Sequence, residues 1–232
     1  MEKLIYPVWK SDLQSNEEFQ DKLLTELAPK LLECDPRRLK ICVVDEHVAE
    51  AAPYRMENTR PAMSGVLMIW VNSSVYRQPL EQLIAEHVAR YTGYLVTESE
   101  PLVSDGCGAA PGEKTPGMNQ LVFLQRPPRL CVEEWLDVWL GSHTQVAIET
   151  QSTFGYRQNV ITRPLTYVAP RYDAIIEENF PQAAIGSRAA FYDADGNEEL
   201  YRQREKEMVD SCVRFIDFDK IDCIPMSEYI FK

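Results

Sequence analysis

The two halves of this chain can be laid over each other at a constant offset of 116 residues, without a gap. Ile5 then falls on Leu121, Glu17-Glu18 on Glu133-Glu134, Phe19 on Trp135, Leu23 on Trp139, and Val43-Val44 on Asn159-Val160. Identities are few, but strand, helix and strand patterns stay in register over roughly forty positions, the mark of an internal repeat. At 232 residues the chain can hold two units of roughly 110, each large enough to bury a core.

Within the first half, Lys3–Trp9 reads as a strand. Ser15 with Glu18 three residues on has capping-box spacing, and Phe19, Leu23, Leu27 and Leu31 recur every four residues, so 15–33 is predicted helical. Asp35-Pro36 ends that helix. A strand at Arg38–Val44, a polar loop, a strand at Val66–Val71, a helix at 79–91 and a strand at Tyr94–Val103 complete a β-α-β-β-α-β order. Residues 104–117, SDGCGAAPGEKTPG, have linker composition.

The order then begins again: a strand at Asn119–Gln125, a helix at Val132–Gln151, strands at Phe154–Thr162 and Tyr172–Phe180, a broken helical stretch over 182–215, and a last strand at Asp219–Phe231. The fold class expected is α+β. Units 1–103 and 118–232 would each be a ferredoxin-like four-stranded sheet with helices on one face, packed sheet to sheet in one chain around a shared cavity for a small apolar ligand.

Bulk properties narrow the function. With 36 acidic against 24 basic residues the net charge is -12, which repels phosphate backbones and anionic membrane surfaces. No run of about 18 apolar residues offers a membrane span, and the N-terminus has no secretory pattern. Six scattered cysteines without a C-x-x-C pair read as free thiols of a cytoplasmic protein. Three histidines, none at ligand spacing to a cysteine pair, give no metal site.

Candidate site residues cluster in the second half. His143 shares a helix stripe with Trp135 and Trp139, while the position matching it in the first half is Leu27. A buried neutral histidine with both ring nitrogens hydrogen-bonded is the plain structural reading, and a titratable group in a cavity is the functional one. In the strand FGYRQNVIT, alternation sets Tyr156 and Gln158 on one face and Arg157 and Asn159 on the other. Glu177 and Glu178 stand where the first half carries Ile69 and Trp70. One should point into a cavity, and sequence does not choose which.

FLQRPPRLCVEEWLDVWLGSHTQVA resembles the opening of EthD-like proteins of the dimeric α/β-barrel superfamily, with Arg126, Pro128, Trp135, Trp139 and His143 in matching places. GYRQNVI resembles the family's second strand and YDAIIEENF its third, so the resemblance covers 119–231. His143 is followed by Thr-Gln where the family has Ala-Pro. The resemblance implies an antiparallel barrel formed by two ferredoxin-like units. Proteins it resembles include polyketide cyclases, dehydratases, isomerases, cofactor-free monooxygenases and haem-handling enzymes. With no activated nucleophile visible, the expectation is a cofactor-independent lyase, dehydratase or cyclase acting on a small hydrophobic, oxygenated (aromatic or polyketide-like) compound.

In that reading His143 is general acid or base, Tyr156 binds a substrate oxygen, and Trp139, Gln158, Asn159 and Glu177 hold the substrate. The alternatives are a non-catalytic binding protein using the same cavity, and a haem protein with His143 as axial ligand. A homodimer remains open.

Overall fold

The computed structural model describes residues 1–104 and 106–232; position 105 of the expected linker lies outside the described residues. Eight principal strands are β1 (Glu2–Trp9), β2 (Arg38–Val43), β3 (Gly65–Val71), β4 (Tyr94–Leu102), β5 (Met118–Leu124), β6 (Gly155–Pro164), β7 (Ala174–Phe180) and β8 (Asp222–Ile230). Neighbours run in the order β2-β3-β1-β4-β6-β7-β5-β8, and β8 pairs with β2 to close the ring. All of these pairings are antiparallel.

Each half therefore supplies four adjacent strands in the ferredoxin-like order, fourth-first-third-second. The seams are β4 on β6 and β8 on β2. The result is one closed barrel rather than two stacked sheets.

The helices lie outside the ring. Asn16–Asp21, Lys22–Leu27 and Ala28–Glu33 run on as one helix, α1, whose Ser15–Glu18 capping box is formed. Gln78–His87 is α2. Val132–Val138, Trp139–His143 and Thr144–Thr150 make α3, and Glu198–Cys212 is α4. The middle segments of α1 and α3 are wide π-turns. Four-residue periodicity does not reveal such a turn, and one of them carries His143.

Two cores result. Outside the first half's strands, Leu4, Leu39 and Ile69 pack under Leu23, Leu27, Leu31, Leu80 and Ile84. Inside the ring, Ile5, Met68, Leu121, Phe123, Ile224 and Met226 fill one end. The other end is ionic. Lys3 Nζ meets Glu177 Oε1 at 2.5 Å and also pairs with Glu98; Lys40 pairs with Glu177 and lies 3.0 Å from Glu228. Asn119 and Asn179 donate to Glu228 at 2.6 and 3.0 Å, and Arg157 pairs with Glu100 at 2.7 Å. The expected ligand space between the sheets is thus occupied by packed side chains and ion pairs.

Gly117 leads into β5 with a φ of +88°, and a Cβ there would stand 1.9 Å from the Phe180 carbonyl oxygen. Both the left-handed backbone and the contact with β7 forbid a side chain. Gly117→Ala should cost about 2–3 kcal/mol, read as a lower urea midpoint at unchanged m-value.

Candidate functional site

The cavity lies outside the ring, between the second half's sheet and its helices, with a volume of about 220 Å³. Its floor is a row across three strands. Gln120 on β5 is the register partner of Glu178 on β7, which is the partner of Tyr156 on β6. Facing partners on one side of a sheet hold their Cβ atoms about 5 Å apart. Read through the strand pairings, the matching row in the first half is Leu4, Ile69 and Leu39. The counterparts of Glu177 and Glu178 are accordingly Met68 and Ile69, one residue from the match made on sequence. The roof comes from His143 on α3, Met208 and Cys212 on α4, and Phe191.

The first half contributes a wall. Glu46–Tyr54 is a 3₁₀ segment whose Pro53 and Tyr54, with Met56, line the cavity. The Tyr54 ring stacks on Phe191 with centroids 4.9 Å apart, and its hydroxyl donates to the Ala184 carbonyl at 3.0 Å.

Electrostatically the floor is unusual. Glu178 is buried, pairs with no cation among the described residues, and accepts one long hydrogen bond, from Gln120 Nε2 at 3.4 Å. Burial pushes its carboxyl up to about 7, against the weaker opposing pull of Gln120. Tyr156 is fully buried and its hydroxyl has no hydrogen-bond partner among the described residues. Burial, and then the neighbouring Glu178, hold that phenol well above its ordinary value. His143 Nδ1 lies 2.9 Å from Ser211 Oγ and its ring rests on Phe215, while Nε2 has no hydrogen-bond partner among the described residues. Burial, helped by Arg214, pushes the imidazole down to about 4, so it is neutral at pH 7. Cys212 and Cys223 also line the cavity; burial raises the Cys212 thiol to about 12 and Cys223 likewise upward, which leaves both unreactive.

Of the residues singled out from sequence, His143 and Tyr156 meet at this cavity. Trp139 lies behind it, fully buried against Trp135, without lining it. Gln158 shares the floor's face of the sheet but turns to Thr144 and Ser99, at 2.5 and 2.8 Å. Asn159 and Glu177 require correction, because they point into the ring. Asn159 Nδ2 donates to Glu177 Oε1 at 2.9 Å, and Glu177 is held by Lys3 and Lys40. Burial would raise the Glu177 carboxyl, but Lys3, Lys40 and Arg157 outweigh it and hold it far below the carboxylate range. The glutamate at the cavity is Glu178. Gln120, Tyr54 and Gln151 were not anticipated either. Gln120 had one signal, a polar residue alternating with Met118, Val122 and Leu124 in an otherwise apolar strand.

A haem ligated by His143 does not fit these residues. The space is smaller than a tetrapyrrole, the imidazole is wedged on Phe215, and the lining's single cation, Arg188, is tied to Glu205 at 2.5 Å. No group of three or more His, Cys, Asp or Glu among the described residues has metal-binding geometry. No helix among them is long and apolar enough to cross a membrane.

No family model matches the chain, and no curated protein does. Solved structures do. An anthrone oxidase-like protein is 13% identical with a TM-score of 0.54, over 100% of this chain and 91% of that one. A Fusobacterium nucleatum protein classed provisionally as a monooxygenase is 10% identical with a TM-score of 0.50, over 100% and 92%. A dye-decolorizing peroxidase of Bacteroides thetaiotaomicron is 8% identical with a TM-score of 0.50, over 99% and 92%. At such identities the likeness is one of fold. The chain is an α+β protein built on a closed antiparallel barrel with outer helices, the fold of the dimeric α/β-barrel proteins.

Proposed function

We propose that the chain is an enzyme moving a proton on a small, hydrophobic, oxygenated molecule without an organic cofactor. The carrying observation is Glu178, a buried carboxyl without a counter-ion, facing an apolar cavity beside an unpartnered tyrosine hydroxyl. A carboxyl titrating near neutrality is suited to proton transfer at cellular pH.

Glu178 takes the proton from a carbon next to a carbonyl. Tyr156 donates a hydrogen bond to the carbonyl oxygen as it becomes an enolate oxygen. His143, neutral, offers Nε2 to a second oxygen. With a hydroxyl on the next carbon, protonated Glu178 returns its proton to that oxygen, water leaves and a double bond forms, as in a dehydratase or lyase. This moves the base from His143, where sequence suggested it, to Glu178. The EthD resemblance of residues 119–231 supports the same reading. So does a tandem duplication, with the first unit's site plugged by Leu4, Leu39 and Ile69.

A second reading draws on the neighbours described as anthrone oxidase-like and as a monooxygenase. The same enolate can be intercepted by dioxygen, and oxygen uptake separates this outcome from the first. Deuterium exchange into the carbon beside the carbonyl of 1-tetralone, followed by NMR, tests the shared step. Tyr156→Phe should lower the exchange rate by about 10²–10³-fold with little change in KM. An unchanged rate would remove Tyr156 from the step, and no exchange by the wild type with the ketone bound would leave a binding protein.

A further inference from the structure

We propose that the amides of Gln120 and Gln151 make the cavity selective for an uncharged, hydroxylated ring ketone, each amide oxygen accepting a hydrogen bond from a ligand hydroxyl. This rests on the cavity being the substrate site and names the substrate class.

The Gln120 amide nitrogen donates to Glu178 Oε2, which orients the amide, and its Oε1 is buried without a partner among the described residues. Gln151 follows the last turn of α3, is 6% exposed, and its Oε1 is likewise buried without a partner among those residues. A buried carbonyl oxygen can be satisfied only by a donor. Among the described residues no donor of the lining, the Tyr156 hydroxyl included, reaches either oxygen.

The unmatched groups therefore specify a ligand. Two acceptors call for hydroxyl groups, and the donors Tyr156 and His143 Nε2 call for a carbonyl and a further oxygen. An anionic ligand would face Glu178 and two carbonyl oxygens, while Arg188 is already engaged by Glu205 and by the Tyr201 hydroxyl at 3.3 Å. A bare hydrocarbon would leave every one of these groups unpaired. The stacked rings of Tyr54 and Phe191, with Met56 and Met208, form walls suited to a flat ring system, and about 220 Å³ accommodates one or two rings. In the first half the place of Gln120 is taken by Leu4, inside a packed core.

The test is a set of dissociation constants on the full chain, read by tryptophan fluorescence. The probes are 1-tetralone, its four ring-hydroxylated isomers, their methyl ethers, and a carboxylated analogue. At least one hydroxylated isomer should bind about tenfold or more tighter than 1-tetralone and than its own ether. Gln151→Leu removes no hydrogen bond seen within the protein, so it should keep the wild-type melting curve and lose most of that preference. Gln120→Met should lose it as well.

Equal affinities in the wild type, a preference surviving in both variants, tightest binding of the carboxylate, or no binding of any probe would each overturn the inference. Selectivity without deuterium exchange would uphold it and sink the proposed proton transfer. Exchange without selectivity would do the reverse.

Discussion

Glu177→Gln is expected to destabilise the protein by about 3–5 kcal/mol, because it leaves Lys3 and Lys40 short of a carboxylate in the ring's interior. Against a total of roughly 5–15 kcal/mol for a typical domain, that is a large share, and the denaturant midpoint should fall accordingly. The double variant Glu177→Gln with Lys40→Met removes one charge of each sign and should recover part of the loss. No recovery would mean that packing rather than charge sets the cost.

The pH response has a definite direction. The folded Glu177 carboxyl is depressed, so its contribution is present above the unfolded value and disappears only as pH falls toward the folded one, in strong acid.

One residue along the same strand the expected result reverses. Glu178→Gln should slow carbon-deuterium exchange by about 10²–10⁴-fold while raising Tm at pH 8. The folded carboxyl titrates at about 7 against an ordinary 4.5, so the folded state holds its proton more tightly than the unfolded chain. Its stabilising contribution is complete below pH 4.5, declines as pH rises, and is gone above pH 7. That ionisation costs about 3 kcal/mol at pH 8, and a neutral amide avoids it. The gain corresponds to roughly 6–12 °C in a domain of this size.

His143 runs the other way. Its neutral form is favoured by burial, so its contribution is present above 6.5 and lost as pH falls toward 4. Between 4.5 and 6.5 the two residues oppose each other, and only above 6.5 does Glu178 act alone. The wild-type exchange rate should rise with pH and level off above 7. A rate flat between pH 5 and 8, or a Glu178→Gln protein that melts lower at pH 8, would contradict this assignment.

The opposed fates of two adjacent glutamates show where sequence reasoning stops. Alternation states that Glu177 and Glu178 face opposite ways, but β7 is buried along its whole length on both sides. A strand covered on both faces loses the apolar-polar contrast that would tell helix side from ring side. The order of strands and helices was legible because the apolar stripes of α1 and α3 and the Ser15–Glu18 capping box carry local signals. The cavity's place was not, since it depends on the ring being packed shut by Lys3, Lys40 and their partners, contacts that span up to 188 residues of sequence. Tyr54 was hidden for a different reason. It sits in a polar connection of the first half and acquires meaning only when folding lays it on Phe191.

The two seams of the ring also decide how the protein meets dilution. In a barrel completed by separate subunits, the β2–β8 and β4–β6 contacts would be an association equilibrium, and the wall carrying Tyr54 would depart with its subunit. Here both seams are intramolecular, so their effective concentration is set by the tether and not by the amount of protein. A chamber whose wall is donated by the other half of the same polypeptide keeps its shape at any working concentration. Specific activity should therefore be as high in the nanomolar range as in the micromolar.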